Sequence, residues 1–356
     1  MKTAKNWLGI IGLLLLTVLG GSFIHTNTAL AASKGTALNF WAGPFGGTPY
    51  VALFAMMDTM NKTHPWLKGA IIESEGSWDN ALHSGKDAAK RPYVVTVNDL
   101  GTFTMSQTGK AKQMKGQKTI PKGERKIIGA HMHSANIVVT TNPGIKTGQD
   151  LKGRKMAGWT TGSGAWTTLE MMFKMWKIKF SDLRSYDGLQ PKASADALRD
   201  GLVDAIHLSE PFDPENPNLM TGSFSELIAS GKPLYHIPMS KEDYDPIAAQ
   251  YLAEGDYPHL WKRLPAGHWV KSWPSAGINV VVGVIFVWKE MPEEIQYELA
   301  KNLIEQNKML IGHGGQAGLM TPAVLIGGIP DGFEENMAPG ALRYYKEKGL
   351  WQKYRK

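Results

Sequence analysis

Short apolar segments typical of β-strands alternate along this chain with glycine-rich turns and with segments typical of helices. One such unit covers residues 37–61, with its turn at 43–48, and a second covers residues 154–176, with its turn at 160–164. Alternation of this kind builds mainly parallel sheets that are covered by helices. The sequence therefore predicts an α/β fold made of two lobes, one for each unit.

Further strands and helices are predicted between and after these units. Strands are predicted at 71–73, 93–97, 126–130, 135–141, 205–208 and 279–288, and helices at 78–83, 147–151, 194–200, 292–312 and 341–348. The basic, glycine-containing stretch at 110–126 predicts a surface loop. We expect a first lobe at 32–134, a second lobe at 135–277, and a return to the first lobe with C-terminal helices at 278–356.

The first residues have the three parts of a cleavable secretory signal. Lys2 and Lys5 supply positive charge, an apolar run covers residues 7–19, and small residues follow at 29–31. The apolar run is shorter than the roughly 20 residues that span a bilayer. We therefore expect a signal peptide at 1–31 and a mature protein that works in the periplasm. A retained membrane anchor is the alternative.

The composition and the missing motifs exclude several classes of protein. The chain has no cysteine, which excludes disulfides and a lipid anchor on a signal-peptide cysteine. Without residues 1–31 it keeps 37 basic and 32 acidic side chains, a mild net charge of +5 without a basic run, so nucleic-acid binding has weak support. The sequence contains no nucleophile elbow, zinc-protease motif, phosphate loop or dinucleotide fingerprint. We therefore expect neither catalysis nor a cofactor.

The two glycine-rich turns that precede helices are the best candidates for a ligand site. Their residues are Gly46, Gly47 and Thr48 in the first turn and Thr161, Gly162, Ser163 and Gly164 in the second. A helix amino terminus offers free backbone N–H groups and partial positive charge, and glycine lets a ligand approach the backbone. Such a pair can hold a carboxylate without any arginine. Ordinary tight turns and helix caps are the alternative interpretation.

Aromatic side chains lie near the same turns. Phe45 and Tyr50 flank the first turn, Trp166 follows the second turn, and Trp78 follows the second predicted strand. Aromatic rings can line a pocket and stack on a planar ligand. Packing in the hydrophobic core is the alternative interpretation of these residues.

One pair of histidines has a spacing that would suit a metal ion. His131 and His133 would point to the same face of a strand. A metal site needs further ligands, and the spacing of the remaining residues fixes none. We therefore expect no metal site.

Several stretches resemble the TAXI-type solute receptors of tripartite ATP-independent periplasmic (TRAP) transporters. These stretches have the family's order and spacing, and the resemblance covers most of residues 36–352. They are Gly43–Tyr50, Gly144–Lys155, Gly162–Gly164, Ala197–Ala205, Met291–Glu294 and Pro339–Gly349. The resemblance implies a two-lobe type II periplasmic-binding-protein fold, with a ligand cleft between lobes that close on the ligand and dock on a membrane permease. Family ligands are small organic anions, such as dicarboxylates and amino acids.

The resemblance also implies roles for particular residues. Carried over position by position, the ligand-binding residues are Gly46, Gly47, Thr48 and Tyr50 in the first turn and Thr161, Gly162, Ser163 and Gly164 in the second. The chain departs from the family at Glu73–Trp78, where an added acid and a tryptophan would repel a second carboxylate or favour an amine or an aromatic group. It departs again at Ser209–Phe212, where we expect Glu210 to face the ligand.

Taken with the export signal, these features predict a solute-binding protein that acts outside the cytoplasm as a monomer. We expect it to capture a small carboxylate or amino acid, aromatic ones included, for a TRAP-type permease. Two alternatives stay open: the binding subunit of an ABC importer for an aromatic or sulfonate-like ligand, and an exported ligand sensor.

Overall fold

The computed structural model describes residues 35–161, 163–214 and 216–355 of the 356-residue chain. The signal peptide predicted at 1–31 lies outside these residues. In the described part of the chain, no helix combines the length and the apolar character that are needed to cross a bilayer.

The strands of the described residues join into one sheet. They are β1 Thr36–Trp41, β2 Leu67–Ile72, β3 Val94–Asp99, β4 Arg125–Thr140, β5 Lys155–Gly158, β6 Ser185–Gly188, β7 Ala205–Pro211, β8 Tyr235–Ile237, β9 Leu260–Leu264 and β10 Ala276–Trp288. The strand order is β2-β1-β3-β10-β4-β7-β5-β6, with β8 beside β4 and β9 beside β10.

Helices cover the sheet and connect its parallel strands. They are α1 Thr48–Thr63, α2 Ser77–His83, α3 Leu100–Thr108, α4 Gly164–Met175, α5 Pro191–Arg199, α6 Gly222–Ala229, α7 Lys241–Ala253, α8 Glu293–Glu305, α9 Asn307–Ile311, α10 Pro339–Glu347 and α11 Leu350–Tyr354. The predicted helix at 292–312 is two helices, because the chain breaks at Gln306 between α8 and α9. The predicted short helix at 147–151 is a single 3₁₀ turn.

The pairing of the strands confirms the α/β class and the two lobes. β2, β1 and β3 are mutually parallel and form the first lobe, while β6, β5 and β7 are mutually parallel and form the second. Parallel neighbours need long crossover connections, which the helices supply.

The long strands β4 and β10 belong to both lobes. β10 pairs with β3 over residues 283–287 and with β9 over 276–280, while β4 pairs with β7 over 134–140. The two strands also pair antiparallel with each other along most of their length. The segments predicted separately at 126–130 and 135–141 are therefore one continuous strand, and it connects the lobes.

Each lobe packs around its own buried side chains. In the first lobe, Phe40, Met56 and Leu299 from β1, α1 and α8 lie in one core that reaches β10. In the second lobe, successive residues of β4 point to opposite faces of the sheet. Ile137 packs in a core with α5 and α6, and Val138 packs in a separate core with α4.

One glycine in β10 leaves no room for a side chain. A methyl group on Gly277 would lie 2.0 Å from the Met239 carbonyl oxygen and 2.7 Å from the Trp261 Nε1 atom. We expect Gly277→Ala to lower the free energy of unfolding by about 1–3 kcal/mol, because the backbone must shift to admit the methyl group. Urea denaturation measures this loss. Gly318→Ala is the control, since no heavy atom lies within 4 Å of that methyl position; an equal loss in both variants would contradict the packing.

Candidate functional site

The carboxyl ends of the parallel strands in both lobes meet at the connecting strands. Asp99, at the end of β3, pairs with Gly283 of β10, and Gly283 pairs with Met132 of β4. Two residues further along β4, Ser134 pairs with Pro211 at the end of β7. Two strand residues span about 7 Å. Ligands of open α/β sheets bind beyond the carboxyl ends of the strands, so this meeting point is the candidate site.

We use the name interlobe cleft for the region between the segments that follow these strand ends. The first lobe contributes residues 43–47, 73–78 and Asp99, and the second lobe contributes residues 159–164. These segments contain eight of the twelve ligand-binding residues that the sequence predicts. The other four are Thr48, Tyr50 and Trp166 in the helices that follow, and Glu210 in β7. Gly162 is outside the described residues.

The first turn stands at the amino end of α1. The Phe45 backbone N–H donates to the Glu73 carboxylate over 2.8 Å, which joins the loops that follow β1 and β2. Gly46 has a φ of +77°, a value that favours glycine. No side chain caps the helix at Gly47, and Thr48 is its first residue. The amino end of α1 therefore keeps backbone donors for an anion.

The aromatic residues of this turn lie on the surface. Phe45 is 76% exposed and packs edge-on against Tyr50, with 5.2 Å between the ring centroids. Tyr50 in turn stacks on Phe54 of the same helix. The ring of Phe45 is thus available for contact, and Tyr50 belongs to a small surface cluster of aromatic residues.

Trp78 joins the two lobes. It is only 4% exposed, and its indole N–H donates to the Thr167 hydroxyl of α4 over 3.2 Å. Its ring packs in the same cluster as Leu169 and other residues of the second lobe. Of the two interpretations that the sequence allows for Trp78, the structure shows burial, and it places this burial between the lobes.

Asn80 organises the loops of the first lobe, and sequence analysis missed it. Its side-chain amide donates to the carbonyl oxygens of Ala42 and Val97 over 2.6 and 3.0 Å. Its Oδ1 atom accepts from the Ser74 hydroxyl over 2.7 Å. One buried side chain therefore ties together the ends of β1, β2 and β3. The only sequence signal for this role is that Asn80 is a polar residue inside the weak helix predicted at 78–83.

Asp99 is a buried carboxylate at the cleft that sequence analysis did not select. It caps α3, accepting from the Thr102 backbone N–H over 2.7 Å and from the Thr102 hydroxyl over 2.8 Å. The His259 Nε2 atom lies 3.5 Å from its Oδ1 atom. Burial alone would raise the pKa of Asp99, but His259 and Thr102 outweigh it and hold this pKa below its ordinary value. Asp99 is therefore ionised at neutral pH.

The second turn brings α4 against Asp99. The Ser163 hydroxyl caps α4 by accepting from the Trp166 backbone N–H over 3.1 Å. Gly164 follows, and a methyl group on it would lie 2.8 Å from the Asp99 Oδ2 atom and 3.2 Å from the Ser77 Oγ atom. The amino end of α4 in the second lobe thus touches the carboxyl end of β3 in the first.

Two other predicted residues lie around this turn. Thr161 is exposed. Trp166 stacks on Phe180 with 5.2 Å between the ring centroids, and the Lys112 ammonium of the first lobe lies 5.8 Å from its ring. Trp166 is therefore at the rim of the cleft, where it takes part in packing within the second lobe.

Glu210, which the sequence predicts to face the ligand, is buried in the second lobe, and its carboxylate forms hydrogen bonds there. Its two oxygen atoms accept from the Thr221 backbone N–H and hydroxyl, each over 2.8 Å, at the amino end of α6. The side chain is 1% exposed. Burial raises the pKa of Glu210 to about 7, against the opposing effect of the two hydrogen bonds.

Polar side chains of the connecting strands form a buried patch beside the cleft. The Ser134 and Ser209 hydroxyls lie 2.8 Å apart, and the Asn136 Oδ1 atom lies 3.2 Å from a ring nitrogen of His207. Asn279 pairs with Asn136 across the strands and is fully buried. These residues received no ligand-binding role from the sequence, because no local pattern indicates that the strands that carry them are neighbours.

The two histidines considered for metal binding lie in β4. His131 is 1% exposed, and burial lowers its pKa to about 3. His133 has a ring nitrogen 3.1 Å from the Gly328 carbonyl oxygen. Within the described residues, no three histidine, aspartate or glutamate side chains are grouped as a metal ion requires.

Further contacts close the lobes on each other beside the cleft. Lys112 of the first lobe pairs with Glu170 of α4. The segment that leaves α7 crosses to the first lobe, where Asp256 accepts from the Thr108 hydroxyl over 2.7 Å and the Tyr257 backbone N–H donates to the Thr104 hydroxyl over 2.8 Å. The described conformation is thus a closed one.

We expect Gly164→Ala to oppose this closure without weakening either lobe. The added methyl group would collide with Asp99 and Ser77, which both belong to the other lobe. Small-angle X-ray scattering should therefore give a larger radius of gyration, while the free energy of unfolding falls by no more than the few kcal/mol by which the closed form is favoured. Gly222→Ala is the matched control, because Gly222 also begins a helix and has no atom within 4 Å of the methyl position. Identical scattering of the two variants would contradict the contact.

Glu210 should make stability depend on pH. Its pKa is about 7 in the folded chain and 4.5 ordinarily, so the folded state holds the proton more tightly. The stabilisation is complete below about pH 4.5 and is lost as the pH rises through about 7, by about 3 kcal/mol in all. Urea denaturation from pH 5 to pH 8 should show this fall in the free energy of unfolding of the natural chain relative to Glu210→Gln. The buried histidines, whose pKa is lowered, contribute an opposite change to both proteins, so the difference between the two isolates Glu210. The exposed Glu335→Gln variant should follow the natural chain; if Glu210→Gln follows it as well, the assignment is wrong.

The chain is similar to several solved structures of binding proteins. It is 16% identical to the periplasmic aliphatic sulphonate binding protein SsuA from Escherichia coli, covering 88% of this chain and 84% of that one with a TM-score of 0.42. It is 13% identical to MatC from Rhodopseudomonas palustris, solved with bound malate, over 90% and 99% of the two chains with a TM-score of 0.49. It is 17% identical to a TctC solute binding protein from Polaromonas, over 90% and 99% with a TM-score of 0.48.

The family comparison covers both lobes. The model of the NMT1-like family matches residues 40–349, which run from the end of β1 through α10 and include every segment of the interlobe cleft. Because this match extends over most of the sequence, the chain belongs to the NMT1-like family.

Proposed function

We propose that this chain is a solute-binding protein that captures a small carboxylate-bearing molecule outside the cytoplasm and delivers it to a TRAP-type membrane permease. The observation that carries the proposal is the convergence of loops from two α/β lobes on one cleft, with Gly164 of one lobe against Asp99 of the other. The role is binding, and no chemical step is assigned to it.

The way the lobes are joined supports this role. For the lobes to separate, the connecting strands and the segment after α7 need to bend, while one core in each lobe stays intact. The core that Trp78 shares with the second lobe would open. Hinge closure around a ligand needs such rigid bodies and a small number of flexible connections. A ligand that touches both lobes would stabilise the closed form by its contacts with the second lobe.

The helix starts support a carboxylate group on the ligand. The amino end of α1 follows a turn with Gly46 and Gly47, and the amino end of α4 begins at Gly164. Backbone N–H groups and the helix dipole attract anions at such positions. The neighbouring Ser163 and Thr48 hydroxyls can donate further hydrogen bonds in this arrangement.

Ligand binding should be visible as thermal stabilisation of the purified mature chain. A ligand present at 100 times its dissociation constant stabilises the folded state by about 2.7 kcal/mol. We expect a rise in the melting temperature with at least one member of a library of organic acids and amino acids. Mass spectrometry of molecules that co-purify with the chain shows which members to test first. No stabilisation by any member would contradict the proposal.

Deletion of the gene distinguishes a role in transport from a role in sensing. If the chain serves a permease, deletion abolishes uptake of the ligand found in the thermal screen. If uptake persists and only a cellular response to the ligand is lost, the chain is a sensor. Co-purification with TRAP membrane subunits, in place of an ATPase and its permease, distinguishes the TRAP partner from an ABC importer.

A further inference from the structure

A cavity lies at the connection between the two lobes, and no segment of the interlobe cleft lines it. Its volume is about 560 Å³, which is within the range of small-molecule sites in proteins. α3 of the first lobe supplies one wall through Phe103, Thr104 and Gln107. Residues 252–257, which end α7 and cross to the first lobe, supply another wall, and segments 122–126 and 331–336 complete it. We call this space the hinge cavity.

The wall of the hinge cavity is partly aromatic. The rings of Tyr257 and Phe333 pack edge to face, with 5.3 Å between their centroids. Phe103 and Leu252 add apolar surface, and Leu252 is 61% exposed. An apolar ring bound here would remove Leu252 from water, which favours binding.

Two residues of the wall have buried polar atoms without a hydrogen-bond partner among the described residues. These atoms are the Tyr257 hydroxyl and the Gln107 side-chain nitrogen. Tyr257 is only 8% exposed, so bulk water does not compensate its hydroxyl. A buried polar group without a partner costs free energy. A ligand oxygen that accepts a hydrogen bond from either group would remove part of this cost.

A buried cation behind the wall favours the same kind of ligand atom. Arg125 is fully buried, and its guanidinium carbon lies 4.2 Å from the centroid of the Phe103 ring. It donates to the Phe103 carbonyl oxygen and the Ser106 hydroxyl, while its Nε and Nη1 atoms have no partner within the described part of the chain. Since Phe103 lines the hinge cavity, this positive charge disfavours a cation there.

The charged residues of the wall do not select a cation either. They are two lysines and three carboxylates: Lys122, Lys126, Asp256, Asp331 and Glu335. Asp331 pairs with Arg355 over 3.2 Å. The two lysines then balance the two remaining carboxylates, so the wall keeps no net charge, and the hydrogen-bond donors decide which ligand fits.

We infer that the hinge cavity is a second small-molecule site, which binds an aromatic molecule through a carbonyl or carboxylate oxygen. The ring lies against Tyr257, Phe333 and Leu252, and the oxygen accepts hydrogen bonds from the Tyr257 hydroxyl and the Gln107 amide. Because the molecule touches both α3 and the segment after α7, it holds these two together and favours the closed form. The site does not depend on the proposed function, since it can be occupied whether or not the interlobe cleft binds a solute.

Three compounds with the same ring test this class of ligand. Indole-3-acetamide and indole-3-acetate carry an oxygen acceptor, whereas tryptamine carries an ammonium group in its place. In calorimetric titrations of the mature chain, we expect at least one acceptor compound to bind 10-fold or more tightly than tryptamine. Tryptamine binding as tight as that of the acceptor compounds, or no binding of any of the three, would overturn the inference.

Hydrogen exchange locates the compound that binds. The Tyr257 backbone N–H donates to the Thr104 hydroxyl, so its exchange reports whether the segment after α7 leaves α3. We expect the bound compound to slow exchange in peptides that cover residues 103–107 and 252–257. Protection confined to residues 43–47 and 159–164 would overturn the inference and support the proposed function, because the compound would then bind in the interlobe cleft.

Removal of the Tyr257 hydroxyl distinguishes a binding role from a structural one. Tyr257→Phe keeps the ring contact with Phe333 and loses only a hydroxyl that has no partner among the described residues. We expect the affinity for the acceptor compound to fall about 5-fold, as for the loss of one hydrogen bond, while the melting temperature of the free chain does not fall. Tyr93→Phe is the matched control, because Tyr93 is 44% exposed and does not line the hinge cavity. Equal affinities of the two variants would contradict the inference.

Discussion

The antiparallel pairing of β4 with β10 is the interaction on which the rest of this structure depends. The two strands pair from Asn136 and Asn279 to Arg125 and Trp288, and they supply the sheet of both lobes. Their register shifts between Gly283 and Val284, close to where pairing with β3 ends. A bulge increases local twist and redirects the strand. The two sets of parallel strands are therefore brought end to end, and their carboxyl ends are placed at one cleft.

The closed conformation is held by contacts of modest strength. The hydrogen bond from Trp78 to Thr167 is worth about 1 kcal/mol, and the exposed pair of Lys112 with Glu170 contributes less. The open and closed forms therefore differ in free energy by a few kcal/mol. A small ligand can shift this equilibrium if it binds the closed form more tightly than the open form by a similar amount. Burial of Trp78 between the lobes gives this equilibrium an apolar component, so the same ring serves both packing and closure.

Sequence analysis predicted the local elements well and the non-local arrangement only in part. The strand predicted at 37–42 is β1 at Thr36–Trp41, because a buried apolar strand has a local signature. The run from His131 to Ser134 looked like a break between two strands, yet the ladder of β10 carries β4 through it. Asp99 and His259 come together only through the crossover after α7, and no pattern in either stretch indicates the other. The ligand-binding roles of the two glycine turns stay predictions.

Glycines take part in the cleft for steric reasons, in addition to any contact with a ligand. Gly101 and Gly164 allow backbone to approach Asp99 and His259 from two sides, at distances that a Cβ atom would forbid. Burying a carboxylate this deeply costs several kcal/mol unless its partners compensate. Thr102 and His259 do so here, since they hold the pKa of Asp99 below its ordinary value. The absence of a side chain at Gly101 and Gly164 therefore lets the two lobes meet around a buried carboxylate that is already compensated.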